Sequence, residues 1–262
     1  MDLILKDKRA IVTGASEGIG RAIVEVLASE GCDVAFCARR IELLEEVAQS
    51  TAAATGRRLV PLQADLTARA AIDGFVEEAA EALGGIDIVI NNAGASIFAE
   101  LFDIPDERWL QDIELKFMSY VRTTRAAIPH LREAGGGRIV NVAGNGGRQP
   151  IPYHLPGGAS NAAILNMTVS LAAYLAKDSI HVLTCAPGPV RTARLVKQIA
   201  ANAKLWNVSF EEAEKRFTAD CPLGYIPSAE DVAGVIVFLA SARAAYMTGT
   251  TVTVDGGITR GI

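Results

Sequence analysis

The amino-acid sequence predicts an α/β fold: one doubly wound parallel sheet of about seven strands, with helices on both faces. Two patterns predict this fold. Short runs rich in β-branched residues alternate with longer runs of helical spacing along the 262 residues. In addition, the strand candidates are apolar along their whole length, which is typical of parallel strands that helices cover on both faces.

Strand and helix candidates follow one another in regular order. The expected strands are RAIVTG (9–14), CDVAFCA (32–38), RLVPLQAD (58–65), IDIVINNAG (86–94), RIVNVAG (138–144), IHVLTCAPG (180–188) and TTVTVDGG (250–257). The expected helices are GRAIVEVLASEG (20–31), residues 40–56, 68–85, 106–137 and 157–177, and AEDVAGVIVFLASA (229–242). Strands separated by helices need crossover connections, and therefore form a parallel sheet.

A single domain over residues 1–262 is expected, because no linker, repeat or low-complexity segment interrupts the alternation. One long irregular segment, residues 189–227, follows the sixth strand; we call it the insert. Ligands bind beyond the carboxyl ends of such strands, so we interpret the insert as a substrate lid, with a surface excursion as the alternative. Its apolar residues, such as Ile199, Trp206 and Phe210, favour an apolar pocket unless they only pack the insert itself.

Composition argues against several classes of function. The net charge of −5 and the pI of about 5.3 disfavour a nucleic-acid or anionic membrane surface. The four cysteines form no C-x-x-C pair and only three histidines occur, so no metal site is expected. No signal peptide and no apolar run of membrane-spanning length is recognised, so we expect a soluble cytoplasmic protein with reduced thiols.

A glycine-rich turn, TGASEGIG, lies between the first strand and the first helix. Glycines permit a tight turn and let the backbone approach a pyrophosphate, while the N-terminus of the helix offers unpaired N–H groups to it. This context makes the turn a dinucleotide site rather than a plain strand–helix connection. The residues that we assign to it are Gly14, Ser16, Glu17, Gly18, Ile19 and Gly20.

The end of the second strand, FCARR, indicates which dinucleotide binds. An acid at this place holds the ribose 2′-hydroxyl of NAD, whereas Arg39 and Arg40 supply guanidinium groups that fork onto a 2′-phosphate. We therefore favour NADP(H), with NAD(H) as the alternative. Two observations weigh the other way: solvated arginines at a helix start look the same, and Glu17 brings negative charge into the phosphate turn.

With these motifs in view, the chain resembles the short-chain dehydrogenase/reductases, a family with a Rossmann-like fold, over essentially its whole length. The further matching motifs are ADL (64–66), NNAG (91–94), RIVNV (138–142), PGPVRT (187–192) and VDGG (254–257). By resemblance, Asp65 and Leu66 would flank the adenine. Asn91, Ala93 and Gly94 would line the cofactor cleft, and Pro187, Gly188, Val190 and Thr192 would hold the nicotinamide end. The resemblance also implies a homodimer or homotetramer that acts on a small molecule.

The resemblance implies a tyrosine acid, a lysine four residues later, a serine and an asparagine, and this sequence departs from all four. Gly157 stands for the tyrosine and Asn161 for the lysine, the serine position falls at or near Gly144, and the asparagine position falls at Lys116, give or take a residue. No Y-x-x-x-K occurs in the sequence. A phenol titrates near pH ~10 and needs a nearby positive charge to exchange protons at neutral pH.

Two interpretations follow. In the first, the protein is an oxidoreductase with a rebuilt acid/base apparatus. Lys116 replaces the lost positive charge, Tyr153 or His154 supplies the proton, Asn145 binds a substrate oxygen, and Asn161 stays in the site. The bland alternatives are a solvated Lys116 and a loop at 153–154 that only lines the pocket.

In the second interpretation, a dinucleotide-binding protein without hydride transfer remains, as a regulatory or structural subunit. The intact PGPVRT motif favours the oxidoreductase, because a protein that needed only adenine recognition would not require the nicotinamide end. The expected substrate is an apolar carbonyl compound or alcohol.

Overall fold

The computed structural model describes residues 2–95 and 97–260. Seven parallel strands form one sheet in the order β3-β2-β1-β4-β5-β6-β7. The strands are β1 (Arg9–Thr13), β2 (Asp33–Ala38), β3 (Leu59–Gln63), β4 (Ile88–Asn91), β5 (Gly137–Val142), β6 (Ile180–Pro187) and β7 (Thr251–Val254). The order reverses between β1 and β4, which opens a crevice at the carboxyl ends of these strands. The predicted doubly wound, Rossmann-like sheet is confirmed.

Helices cover both faces of this sheet. They are α1 (Gly18–Ser29), α2 (Ile41–Thr55), α3 (Arg69–Leu83), α4 (Asp106–Ile113), α5 (Ser119–Glu133), α6 (Leu155–Leu175), α7 (Ala193–Trp206), α8 (Phe210–Thr218) and α9 (Ala229–Leu239). One core contains buried residues of α1, α2 and α9, and the other contains residues of α3, α5 and α6. Each fully buried Leu, Ile or Val in these layers stabilises the fold by about 1.5–3 kcal/mol.

The fourth expected helix is interrupted by a wider turn. Residues Glu114–Met118 form a π-helical turn between α4 and α5, with Lys116 at its centre. Turns of this kind are rare, and they occur frequently at functional sites. No periodicity in the sequence indicates the change, because the apolar positions continue through it.

The insert is more ordered than expected. It folds into α7 and α8, which share a small core of Ile199, Ala203, Ala213 and Ile226. An isolated bridge joins Arg191, near the start of the insert, to Ser228, the residue that directly follows it. Ile199 lies in this core and Phe210 packs against it, whereas Trp206 is 39 % exposed. The apolar pocket therefore stays a prediction.

Helix α6 corrects one expectation from the sequence. Residues Leu155–Asp178, which comprise α6 and the short turn after it, are long and apolar enough to cross a membrane by length and composition alone, with a mean hydropathy of 1.2. In the fold, however, α6 packs against β6 as part of one helical layer, with Ile164, Ala172 and Leu175 buried. Core helices of soluble proteins meet the same criteria, so this helix is weak support for a membrane span.

Candidate active site

The glycine-rich turn closes tightly against the end of β4. Gly14 adopts φ +69°, and a Cβ on it would lie 2.7 Å from Cα of Ala93. A Cβ on Gly20 would overlap the carbonyl oxygen of Gly14. Only glycine permits these approaches, so the backbone of the turn forms the floor of the crevice between β1 and β4.

Helix α1 begins at this turn without a side-chain cap. Glu17 occupies the N-cap position, makes no side-chain hydrogen bond to the helix, and no acidic residue follows in the first turn. By contrast, Thr192, Ser209 and Ser228 cap the helices that they precede. The first N–H groups of α1 therefore remain for an anionic ligand, which fits a dinucleotide pyrophosphate.

Asn92, which the sequence analysis did not single out, fastens β4 to the turn. Its Nδ2 donates hydrogen bonds to the carbonyl oxygens of Thr13 and Gly14, at 3.1 and 3.0 Å. The preceding Asn91 is fully buried and donates to Asn141 at 2.9 Å and Thr124 at 3.2 Å. The Asn91 amide thus links the end of β4 to β5 and α5, and does not face the crevice.

The arginines after β2 lie at the outer end of the crevice. Arg39 and Arg40 are both exposed, and Arg40 pairs with Glu17 at 2.9 Å. The side chains of both residues are more than half exposed, so the pair is worth at most about 1 kcal/mol. Glu17 therefore holds Arg40 beside the glycine turn in the free protein.

Asp65 and Leu66 follow β3 at the same end. Leu66 is buried and Asp65 is exposed. The Asp65 carboxylate accepts hydrogen bonds from the backbone N–H and the hydroxyl of Thr67, at 3.0 and 2.8 Å. These bonds lower the pKa of Asp65, which stays ionised. Ser16 and Ile19 of the turn are both half-buried.

The residues after β6 reach back to the glycine turn. The N–H of Gly188 donates to Val254 at 3.0 Å, which ties the end of β6 to β7, and Val190 is buried. The methyl group of Thr192 lies 3.1 Å from the position of a Cβ on Gly18. The first turn of α7 therefore stands directly above the start of α1, with Pro187 at the end of the strand beside it.

Lys116 lies in the crevice and not on the helix surface. Its Nζ donates to the hydroxyl of Tyr120 at 2.8 Å and to the carbonyl oxygen of Val142 at 2.7 Å. Nζ is also 3.0 Å from the position of a Cβ on Gly94, whose lack of a side chain makes room for the lysine stem. The ammonium is thereby fixed between the carboxyl ends of β4 and β5.

Burial, followed by the positive charge of Arg194, lowers the pKa of Lys116 from 10.5 to about 7. Its neighbour Tyr120 is fully buried, and burial raises the pKa of that phenol well above 10. Tyr120 donates its own proton to the carbonyl oxygen of Val142 at 2.9 Å. Near neutral pH, Lys116 therefore exchanges protons, whereas Tyr120 remains a fixed hydrogen-bonding group.

The side chains of Asn161 and Asn145 both form hydrogen bonds within the protein. The Oδ1 atom of Asn161 accepts a hydrogen bond from the N–H of Gly144 at 3.1 Å, and the residue is buried. Nδ2 of Asn145 donates to Asp255 at 3.2 Å. In these positions, Asn161 orders the loop after β5, and the amide N–H of Asn145 is directed at Asp255.

His154 and Tyr153 precede α6. The His154 ring stacks on Phe98 at 4.4 Å between centroids, and its Nδ1 is buried without a hydrogen-bond partner. Burial, with Arg194 second, lowers the pKa of His154 below 6.5, so the ring is uncharged at neutral pH. Tyr153 has φ +66°, its side chain is 54 % exposed, and its carbonyl oxygen accepts from Ala99.

The candidate proton donors are thus unequal. His154 holds no acidic proton at neutral pH, and the Tyr153 side chain is turned towards solvent. Lys116 combines enclosure, fixed geometry and a pKa of about 7. Arg194, which the sequence analysis missed, lies at the first turn of α7 and acts on both Lys116 and His154. The PGPVRT motif ends two residues before Arg194, so the motif itself did not predict that Arg194 belongs to the site.

Comparisons with known proteins find relatives along almost the whole chain. The profile of the enoyl-(acyl carrier protein) reductase family matches residues 14–259. The uncharacterised oxidoreductase YvrD of Bacillus subtilis (strain 168) is 32 % identical over the whole of both chains. D-beta-hydroxybutyrate dehydrogenase of Rhizobium meliloti (strain 1021) is 30 % identical, over 96 % of this chain and 98 % of its own.

One solved structure has nearly the same fold as this chain. The crystal structure of L-sorbose reductase from Gluconobacter frateurii, complexed with NADPH and L-sorbose, has a TM-score of 0.97. It is 32 % identical and the match covers 100 % of both chains. The sheet order, the profile and these relatives lead to one conclusion: the chain belongs to the short-chain dehydrogenase/reductase family and is an oxidoreductase.

Proposed function

We propose that the protein is an NADP(H)-dependent oxidoreductase that interconverts a carbonyl compound and an alcohol, with Lys116 as the proton donor. The observation that carries the proposal is the position of the Lys116 amine. It is held by two oxygen acceptors at 2.7 and 2.8 Å, between the ends of β4 and β5, with a pKa of about 7.

The crevice fits NADP(H) on the grounds of this chain's own residues. The uncapped start of α1 offers N–H groups to the pyrophosphate, and Gly14, Gly18 and Gly20 keep side chains out of its way. Arg39 and Arg40 offer guanidinium groups to a 2′-phosphate. The L-sorbose reductase and other neighbours were solved with NADPH, which supports the same choice.

The remaining cofactor residues form the walls of the crevice. Asp65 and Leu66 would lie against the adenine, and Ala93 and Gly94 against the ribose side of the nicotinamide. Pro187, Gly188, Val190 and Thr192 would hold the nicotinamide itself. When bound, NADPH supplies the hydride, with its two electrons, to the carbonyl carbon of the substrate.

Lys116 completes the reaction by moving one proton. A lysine ammonium has three N–H groups, and two of them are directed at Tyr120 and Val142. The third N–H is the one that a substrate oxygen accepts. As negative charge develops on that oxygen, the ammonium gives up this proton and becomes a neutral amine, which recovers a proton from solvent.

A pKa near the working pH suits both directions of the reaction. An ammonium with a pKa of about 7 donates readily during reduction, and the neutral amine accepts a proton during alcohol oxidation. The usual lysine ammonium, with a pKa of 10.5, would stay charged at neutral pH and would not exchange its proton as easily. Burial of Lys116 therefore supports a single lysine in place of a tyrosine–lysine pair.

The experiment separates binding from turnover. NADPH and NADH are titrated calorimetrically, and NADPH oxidation is followed with a panel of ketones, aldehydes and oxo acids. We expect binding with preference for NADPH and turnover of at least one compound. Lys116→Met should retain binding and lose turnover, while Lys177→Met, at an exposed lysine beyond α6, serves as the matched control.

Two outcomes contradict the proposal. If neither coenzyme binds, the assignment of the crevice is wrong. If NADPH binds tightly and no compound is reduced, the protein is a dinucleotide-binding homologue without hydride transfer. Three further properties belong to the proposal as well: a single domain over residues 1–262, a cytoplasmic location, and a homodimer or homotetramer in light scattering.

A further inference from the structure

A buried hydrogen bond between Asn145 and Asp255 crosses the end of β6. Asn145 follows β5 and Asp255 directly follows β7, while β6 lies between these two strands in the sheet. Nδ2 of Asn145 donates to Oδ2 of Asp255 at 3.2 Å, and the two residues are only 5 % and 8 % exposed. The bond therefore joins two segments that are not neighbours in the sheet.

Gly188, which follows the last residue of β6, lies directly beside this bond. A Cβ on Gly188 would stand 2.8 Å from the Cβ of Asp255 and 3.7 Å from Nδ2 of Asn145. The N–H of Gly188 donates to Val254 at 3.0 Å. The backbone at Gly188, which we assign to the nicotinamide end, is therefore held by the end of β7 and packed against Asp255 at the same time.

Three groups donate hydrogen bonds to the Asp255 carboxylate. Besides Asn145, the backbone N–H of Thr259 donates to Oδ2 at 2.8 Å and that of Gly257 donates to Oδ1 at 3.1 Å. Burial raises the pKa of Asp255, but the hydrogen bonds that its carboxylate accepts outweigh burial, so the pKa falls below 3.8. The carboxylate is therefore ionised at neutral pH, and the bond from Asn145 is charge-assisted.

The other end of the bond belongs to the loop that holds Lys116. The carbonyl oxygen of Val142, the last residue of β5, accepts a hydrogen bond from Nζ of Lys116 at 2.7 Å. Asn145 lies three residues further along, and its carbonyl oxygen accepts from the N–H groups of Arg148 and Gln149 at 2.9 and 3.0 Å. Asn145 thus anchors a closed turn, and a displacement of Asn145 displaces the loop that begins at Val142.

We propose that Asp255 is a positioning residue: by holding Asn145 across the end of β6, it fixes the backbone at Gly188 relative to the Lys116 amine. This inference rests on the proposed function, and it gives Asp255 no contact with substrate or coenzyme. The hydride and the proton come from groups on different strands, so their separation depends on a bond that joins those strands. A misplacement of about 1 Å at the reacting atoms costs up to about 10²-fold in rate.

A second role of Asp255 has to be separated from this one. Its bonds to Gly257 and Thr259 close the turn after β7. That turn also holds the end of the insert, because the N–H of Leu223 donates to the carbonyl oxygen of Gly256 at 3.2 Å. Exchanging the two side chains distinguishes the roles, since a carboxylate at position 145 and an amide at position 255 form the same link in reverse.

The experiment compares wild type with Asn145→Asp, Asp255→Asn, the double variant that carries both changes, and Arg148→Met. Hydride transfer is followed as single-turnover NADPH oxidation, with the best substrate from the panel of ketones, aldehydes and oxo acids. NADPH affinity is measured by calorimetry. Arg148→Met is the matched control, because the exposed Arg148 guanidinium ties the same loop to Thr253 of β7, at 3.3 Å, outside the buried bond.

Asn145→Asp sets two carboxylates against each other, so we expect hydride transfer to slow by about 10²-fold. Asp255→Asn should slow it by about tenfold, for the loss of charge-assisted bonds. The double variant should be at least about tenfold faster than Asn145→Asp, as expected for a coupled pair. NADPH affinity should hardly change, and Arg148→Met should behave as wild type. A double variant no faster than Asn145→Asp, or an equally slow Arg148→Met, overturns the inference.

Hydrogen exchange of the coenzyme-free protein gives a readout that needs no turnover. In Asn145→Asp, amides in residues 143–149 and 188–192 should exchange faster while those of β1 stay protected, and the double variant should restore the slow exchange. If wild type turns over no compound, the proposed redox function fails, and the exchange rates still decide whether Asp255 links the two segments. Turnover with wild-type rate and exchange in Asn145→Asp would overturn the inference and leave the proposed function standing.

Discussion

The two ends of the crevice follow different rules. At the dinucleotide end, the groups that we propose for binding belong to the backbone: glycines at 14, 18 and 20 and the uncapped start of α1. At the reacting end, the candidate groups are side chains from separate elements, such as Lys116 in the π-helical turn and His154 before α6. A binding site made of backbone groups depends on a local sequence pattern. In a site made of side chains, a positive charge can instead come from a residue on a different helix or strand. The comparison fits our sequence-based interpretation, in which one end keeps the glycine motif while the other departs from the four residues that the family resemblance implies.

The largest expected effect tests whether the two ends are independent. Lys116→Arg keeps the positive charge, but a guanidinium does not give up its proton at neutral pH. We expect kcat to fall about 10²- to 10⁴-fold, the range for loss of a general acid. NADPH affinity, measured by calorimetry, should stay within twofold of wild type. A large loss of affinity would mean that the ends are coupled.

The pH profile sharpens the same point. Burial lowers the pKa of Lys116 to about 7, so the ammonium that donates the proton is present below this pH and disappears above it. Reduction, followed as kcat/KM, should be level at low pH and fall about tenfold per pH unit above about 7. Alcohol oxidation should rise with pH and level off there. Profiles with no break between pH 6 and 9 would remove Lys116 from the chemistry.

A backbone substitution should affect the dinucleotide end. Gly18 has φ +61°, and a Cβ there would lie 3.1 Å from the Thr192 methyl group. Gly56 has φ +69° with no atom within 4 Å, so Gly56→Ala is a control with similar strain. Both alanines should cost about 1 kcal/mol of stability in thermal unfolding. Only Gly18→Ala should weaken NADPH binding, by about tenfold, for a loss of about 1.4 kcal/mol.

The smallest expected effect concerns Glu17. Its pair with Arg40 competes with a 2′-phosphate, and an exposed ion pair is worth up to about 1 kcal/mol. Glu17→Gln should therefore tighten NADPH binding by up to about fivefold and leave NADH unchanged. Arg40→Gln should weaken NADPH alone. Equal changes for both coenzymes would show that the pair acts on the turn rather than on phosphate selection.

The fold was largely predictable from the sequence, because alternation of strand and helix patterns and a glycine turn are local signals. The π-helical turn at Glu114–Met118 was not, since the apolar pattern continues through it. The two helices of the insert were only partly expected, because short amphipathic segments owe their stability to a core that Ile226 completes from outside both helices.

The reacting end was harder to predict, because it depends on contacts between distant residues. The position of Lys116 follows from Gly94, in the loop after β4, and Val142, at the end of β5. Arg194 carries no motif and is recognisable only once α7 is seen above the glycine turn. The NNAG motif indicates that an asparagine is important here. The sequence does not show that Asn92, rather than Asn91, donates hydrogen bonds to the end of β1 and the glycine turn.

The small core of the insert has a consequence for motion. Because Ile199, Ala203, Ala213 and Ile226 pack mainly with one another, α7 and α8 form a cooperative unit smaller than the sheet domain. Their amides should undergo hydrogen exchange together, through a sub-global opening that leaves β1 and β4 to β6 protected. Arg194 would leave and return with that opening, so its effect on the pKa of Lys116 would change on the same timescale.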